Sequence, residues 1–282
     1  MSIVELLKVI VQGIVEGFTE WLPISSTGHM LLVDEIIQMD QPEAFLNVFF
    51  VVIQLGAILA VVLLYYEKLN PFSRRKKPVA RNATIVLWMK IIWACVPAAV
   101  FGLLLNDWMD AHLKNPFIIS AMLIIYGILF ILLENRNRRL DFTIQKTGQI
   151  SFKTALYIGL FQLLSLIPGT SRSGATILGA MLLGCSRSAA AEFSFFLGIP
   201  VMFGASLLKI VVFFVKGNTF TLPQVVYMLL GMLIAFLVSV YSIKFLMGYI
   251  RSHDFKFFGY YRIVLGIIVI AYFGITALAV PV

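Results

Sequence analysis

Six stretches of this chain are apolar over nearly their whole length: 44–66, 84–105, 116–133, about 191–215, 222–247 and 258–280. Each approaches or exceeds the ~20 residues a helix needs to cross ~30 Å of hydrocarbon, so each is expected to be a transmembrane helix. Two further apolar stretches, 1–33 and 151–186, are interrupted near the middle by a proline, Pro23 and Pro168. Each is long enough for two half-helices and is expected to form a re-entrant hairpin. Non-helical backbone at membrane depth is tolerated only when buried in protein or lining a wet cavity.

Composition narrows the class. Hydrophobic residues make up 60% of the 282 positions, charged residues only 13%, and mean hydropathy is +0.95. Soluble domains carry roughly 25% charged residues, so the fold class is an all-α polytopic membrane protein. The N-terminus is not expected to be a signal peptide, because Glu5, Lys8, Glu16 and Glu20 interrupt it and no small-residue cleavage site follows a clean apolar core. Cys95 and Cys185 lie beside or within apolar segments and read as packing residues. The net charge of +8 is the positive-inside bias of a membrane protein. No nucleic-acid partner is expected.

The loops sort by sign. Residues 67–83 carry six Lys/Arg, 134–153 carry Arg136, Arg138, Arg139, Lys146 and Lys153, and 248–257 carry Arg251 and Lys256. These belong on the cytoplasmic side. Loops 34–43, 106–115 and 216–221 are acidic or nearly uncharged and belong outside. Six spans satisfy these placements only if the first hairpin enters and leaves outside and the second inside.

The hairpins resemble each other. At an offset of 146, Gly13, Glu16, Ser25, Thr27 and Gly28 fall on Gly159, Gln162, Ser171, Ser173 and Gly174. Residues 1–134 and 151–282 therefore read as two copies of hairpin plus three spans, joined by a basic cytoplasmic loop at 135–150 within one integral membrane domain. An odd span number per copy makes the repeat inverted. Inverted repeats with broken helices often place a site near the midplane, where the copies meet.

The candidate chemistry lies in these hairpins. Glu16 and Glu20 share one helix face. Two such carboxylates in an apolar stretch need a divalent cation, an arginine or a shared proton. In "PISSTGH" Pro23 stops the helix, and Ser25, Ser26 or Thr27 can cap the next one, whose free N–H groups suit an anion. His29 beside them is a candidate acid–base group. "PGTSRSGAT" supplies Thr170, Ser171, Ser173 and Thr176, with Arg172 as a planar fork for phosphate oxygens or as the partner of a glutamate. Together these read as a diphosphate-and-metal site. Other intramembrane charges look structural: Glu192 suits a helix dipole, and Lys90, Lys209 and Arg262 lie near enough to span ends to snorkel. Gly102, Gly127, Gly198, Gly231 and Gly266 suit close helix packing.

Through "EGFTEWLPISSTGH" and "PGTSRSGAT" the sequence resembles the undecaprenyl pyrophosphate phosphatases, bacterial membrane enzymes also called bacitracin-resistance proteins. Both motifs, ExxxE with PxSSTGH and PGxSRSxxT, match without departure. The resemblance implies hydrolysis of undecaprenyl diphosphate to undecaprenyl phosphate, which recycles the cell-wall lipid carrier and confers bacitracin resistance. It implies a divalent cation, Mg2+ or Ca2+, and a multi-pass protein of the bacterial inner membrane with its site open to the outside. The site residues it implies are Glu16, Glu20, Ser25, Ser26, His29, Ser171, Arg172, Ser173 and Thr176.

The expected roles are then as follows. Glu16 and Glu20 hold the metal. Ser25, Thr27, Ser171, Arg172, Ser173 and Thr176 bind phosphate. Ser26 is the expected nucleophile with His29 as its base, and a metal-activated water is the rival. The polyprenyl tail lies among the helices. A homodimer is compatible with the sequence, and a lipid-phosphate transporter or flippase is the competing reading.

Overall fold

The computed structural model describes residues 2–113, 115–138 and 140–279. Among the described residues six helices are long and apolar enough to cross a membrane: α3 (Glu43–Leu64), α5 (Pro78–His112), α6 (Pro116–Asn137), α9 (Arg187–Val215), α10 (Leu222–Tyr249) and α11 (Lys256–Ala279). All six expected spans are present. The protein is an all-α, multi-pass membrane protein. Two spans begin earlier than hydropathy indicates. Pro78 takes the first turn of α5, where its missing N–H costs nothing. The Ser186 hydroxyl accepts from Ala189 N and starts α9 in a polar turn. Among the charges used to assign sidedness, Lys114 and Arg139 lie outside the described residues.

The proline-broken stretches form short helix pairs. The first is α1 (Ile3–Thr19) and α2 (Ser26–Ile37); a single turn, α4 (Tyr66–Leu69), follows α3. The second pair is α7 (Phe152–Leu163) and α8 (Arg172–Leu182). Helices α2, α7 and α8 have 12, 12 and 11 residues. At ~1.5 Å per residue each is too short to cross ~30 Å of hydrocarbon alone.

Neither pair breaks at its proline. Helix α1 ends at Thr19, ahead of Pro23, because α10 takes its last carbonyls: Ser239 Oγ donates to Gly17 O (3.1 Å) and Ser242 Oγ to Phe18 O (2.9 Å). That reach requires a close approach. A Cβ on Gly17 would stand 2.6 Å from Ala235 O, and one on Gly13 2.9 Å from Gly231 O. Helix α7 packs against α5 just as closely, with a Gly159 Cβ position 2.1 Å from Ala94 O. Helices α6 and α11 cross where Gly127 and Gly259 each face the other's carbonyl. Small residues at such crossings let backbones meet without lipid-filled gaps.

Ion pairs fasten one end of α9. Glu134, fully buried at the end of α6, accepts Arg187 Nε (2.8 Å), Arg187 Nη2 (2.5 Å) and Phe255 N (3.0 Å). Glu192 accepts from Thr147 (2.8 Å) and pairs with Lys68. It therefore ties three elements together, where the sequence suggested only a favourable helix dipole. Lys90 is largely buried as a residue, and its ammonium donates to Gly148 O (3.2 Å).

Candidate active site

The two breaks lie side by side. Ser173 Oγ, at the start of α8, donates to Glu20 O (3.0 Å) and Leu22 O (3.3 Å) in the first break. Both breaks end alike. Ser25 and Ser171 have φ of 72° and 73°, the described non-glycine residues with positive φ. This region disfavours L side chains, and such strain clusters at functional sites. The positive φ turns each seryl hydroxyl onto the helix it starts: Ser25 Oγ accepts from Gly28 N (3.3 Å) and Ser171 Oγ from Gly174 N (3.1 Å). Two helix N-termini thus begin at one place, and their free N–H groups make it suitable for an anion.

Glu20 is the hub. Its Oε1 accepts Arg172 Nη2 (3.0 Å) and Nε (3.3 Å), and its Oε2 accepts Ser26 Oγ (2.8 Å). Arg172 is held on every side. Its Nη1 donates to Ser194 O (2.8 Å), its guanidinium lies 5.7 Å from the Trp21 ring centroid, and Gly198 leaves room for it. A Cβ on Gly198 would meet Nη1 at 2.8 Å and Cζ at 2.9 Å. Gly198 is therefore the seat of Arg172 and not a helix-packing glycine. Three of the five guanidinium N–H groups are engaged, which leaves the fork two donors for phosphate oxygens.

Glu16 sits one turn before Glu20, 1% exposed, with Oε1 free of any hydrogen bond. An unpartnered buried carboxylate oxygen is costly, and a cation or substrate proton would relieve it. No group of three or more His, Cys, Asp or Glu able to hold a metal exists among the described residues. The donor set nevertheless fits Mg2+ or Ca2+. Such ions accept one or two carboxylates and complete their shell with waters and phosphate oxygens. At the position equivalent to Glu16, Gln162 is buried with both amide atoms unpaired.

His29 is engaged elsewhere. Its Nδ1 lies 2.7 Å from Ser25 O, so it carries the proton, since a carbonyl only accepts. In the neutral ring Nε2 then accepts from the Tyr261 hydroxyl at 2.7 Å. The expected His29–Ser26 relay is not formed; Glu20 takes that place because the break folds Ser26 back over the end of α1. Thr176 is buried and bonds Arg172 O (2.9 Å) and Ser194 Oγ (2.6 Å), which makes it a brace between α8 and α9. Thr27 is exposed, unlike its buried counterpart Ser173.

Sequence reading missed Tyr261, Ser194, Gly198 and the role of Arg262. Arg262 does not snorkel. It is fully buried and reaches the carbonyls of both breaks. The one available signal was its place in the second turn of an otherwise apolar span, where an arginine needs partners.

The likeness to known proteins covers the whole of this arrangement. Relatives named undecaprenyl-diphosphatase include one from Desulfitobacterium hafniense, 58% identical over 275 residues (97% of this chain, 98% of the relative). Another, from Streptococcus thermophilus, is 57% identical over 270 residues (96% and 94%). A third, from Limosilactobacillus fermentum, is 56% identical over 273 residues (97% and 99%). The sequence pattern of the bacitracin resistance protein BacA family matches residues 9–268, which include both helix breaks, and the chain belongs to that family.

Proposed function

We propose that the chain hydrolyses undecaprenyl diphosphate to undecaprenyl phosphate and phosphate. Family membership and the names of the relatives support this reaction. The observation that carries the mechanism is the joined set of Ser26, Glu20 and Arg172 at two facing helix N-termini. In phosphoryl transfer, positioning and charge stabilisation supply most of the catalysis.

The chemistry follows from the hydrogen bonds. Ser26 Oγ attacks the terminal phosphorus and its proton passes to Glu20 Oε2. The bond from that phosphorus to the bridging oxygen breaks, and undecaprenyl phosphate leaves. Glu20 gives that proton up to the departing undecaprenyl phosphate and is a carboxylate again. Water then attacks the phosphoserine, and Glu20 takes the water's proton. It returns this proton to Ser26 Oγ as the bond from Oγ to phosphorus breaks and phosphate departs. Arg172 holds Glu20 in register through Oε1 and offers its spare donors to the transferred group. His29 and Tyr261 hold the Ser25 turn in shape. Glu16, together with Glu20, would hold a divalent cation, which supplies neutralisation of phosphate charge when bound.

The setting is part of the proposal. The helix pairs are re-entrant hairpins in an inverted repeat of 1–134 and 151–282. Supporting this are the short half-helices, the matched Ser25 and Ser171 turns, and the exchanged packing of α1 on α10 and α7 on α5. The Lys and Arg asymmetry of the loops supports a bacterial inner-membrane setting with 67–83 on the cytoplasmic side and the site open to the outside. The product then re-enters cell-wall synthesis, and abundance confers bacitracin resistance. A flippase needs Arg172 but not the Ser26–Glu20 pair. The test is phosphate release from a polyprenyl diphosphate by purified protein in detergent, where no gradient exists. Release that stops with a chelator and returns with Mg2+ or Ca2+ is expected. No release under any cation would refute the reading.

A further inference from the structure

Arg262 makes an unusual set of bonds for a buried cation: every acceptor is a backbone carbonyl. Nε donates to Leu123 O (3.3 Å), Nη1 to Pro23 O (3.1 Å), and Nη2 to Met122 O (3.3 Å), Gly169 O (2.9 Å) and Thr170 O (3.0 Å). Two carbonyls belong to α6. The other three belong to the breaks, immediately ahead of Ser25 and Ser171. The Tyr126 ring, 5.4 Å from the guanidinium carbon, completes the seat. Carbonyls in a buried break have no helical donor and must find one elsewhere. A planar fork can serve several diverging acceptors at once, whereas the donors of a lysine radiate from one point. A Cβ on Gly174 would lie 3.2 Å from Nη1, so the α8 start is fitted to this guanidinium.

We propose that Arg262 is a positioning residue of the phosphate site. It joins the two helix breaks through their carbonyls and so sets the spacing of Ser26 from Arg172, without touching substrate. Its fixed charge, with no carboxylate among its hydrogen-bond partners in the described residues, also stands behind both turns and favours an anion in front of them. The catalytic part of this inference rests on the diphosphatase reading above. The geometric part does not.

Two measurements test it on Arg262→Lys and Arg262→Gln in the full-length protein. The first is steady-state phosphate release from a polyprenyl diphosphate in detergent. A misplacement of this kind costs about 100-fold in turnover in both variants, with KM changed by less than about threefold in Arg262→Lys, which keeps the charge. The second is the distance between spin labels at Phe18→Cys and Leu164→Cys, exposed positions flanking the breaks, with Cys95 and Cys185 replaced. A single narrow distance is expected with Arg262 present and a broadened one in Arg262→Gln. Turnover retained in both variants would overturn the proposal. So would lost turnover with an unchanged distance, or failure of both variants to fold, which would make Arg262 a residue of the core. A broadened distance in a protein whose Arg262 form releases no phosphate would instead refute the diphosphatase reading and leave the clamp standing.

Discussion

Replacing Gly198 with alanine separates a seat for Arg172 from an ordinary helix-packing glycine. The new methyl would lie 2.8–2.9 Å from three guanidinium atoms, inside the ~3.5–4.0 Å of an unstrained contact. The nearest obstacle is the far end of a flexible side chain, so the fold gives way easily and unfolding temperature changes little. The guanidinium must move by somewhat under ~1 Å, away from Ser194 O and off its two bonds to Glu20 Oε1. A misplacement of about 1 Å in a positioned catalytic group costs about 100-fold, or ~2.7 kcal/mol of transition-state stabilisation. Phosphate release by Gly198→Ala in detergent, beside a thermal unfolding scan, measures both quantities. Turnover within about threefold of the parent would refute the seat. A large fall in unfolding temperature with turnover preserved would make Gly198 a packing residue after all.

Other consequences follow from the same contacts. Glu16→Gln removes a charge from a side chain with an unpartnered oxygen, and turnover should fall by about 100-fold at low Mg2+ and recover in part at high Mg2+; a cation titration of phosphate release reads this. Arg172→Lys keeps the charge but cannot serve Glu20, Ser194 O and a phosphate together, so turnover should fall by about 100-fold or more, measured by the same assay. Cysteines placed in intact cells should react with an impermeant reagent at 218 and not at 75, following the asymmetry of Lys and Arg.

How much of this was legible in the sequence differs by level. The spans were, because length and hydropathy alone decide what crosses lipid. That two apolar stretches are interrupted near Pro23 and Pro168 was visible, and so were Glu16, Glu20, Ser26 and Arg172 as residues too polar for their surroundings. The point where α1 ends was not. It depends on Ser239 and Ser242, more than two hundred positions away, taking the carbonyls of Gly17 and Phe18. Positive φ at Ser25 and Ser171 was equally hidden, since serine carries no signal for that region and only the tertiary bonds impose it. The partner of Ser26 was misjudged by local spacing. His29 is nearer in the helix, but the break brings Glu20 back, and Tyr261 from α11 occupies the imidazole. Arg262 and Gly198 act through contacts across the fold, which no short motif encodes.

In the proposed reaction the Ser26 hydroxyl, held on Glu20, carries the phosphoryl group. Rapid acid quench of the protein during turnover of a terminally labelled polyprenyl diphosphate, with the label then mapped to a residue, tests it most directly. Label is expected on Ser26 in the parent and absent in Ser26→Ala, which should lose turnover with lipid binding nearly unchanged. Substantial phosphate release by Ser26→Ala would contradict it and make water the attacking group.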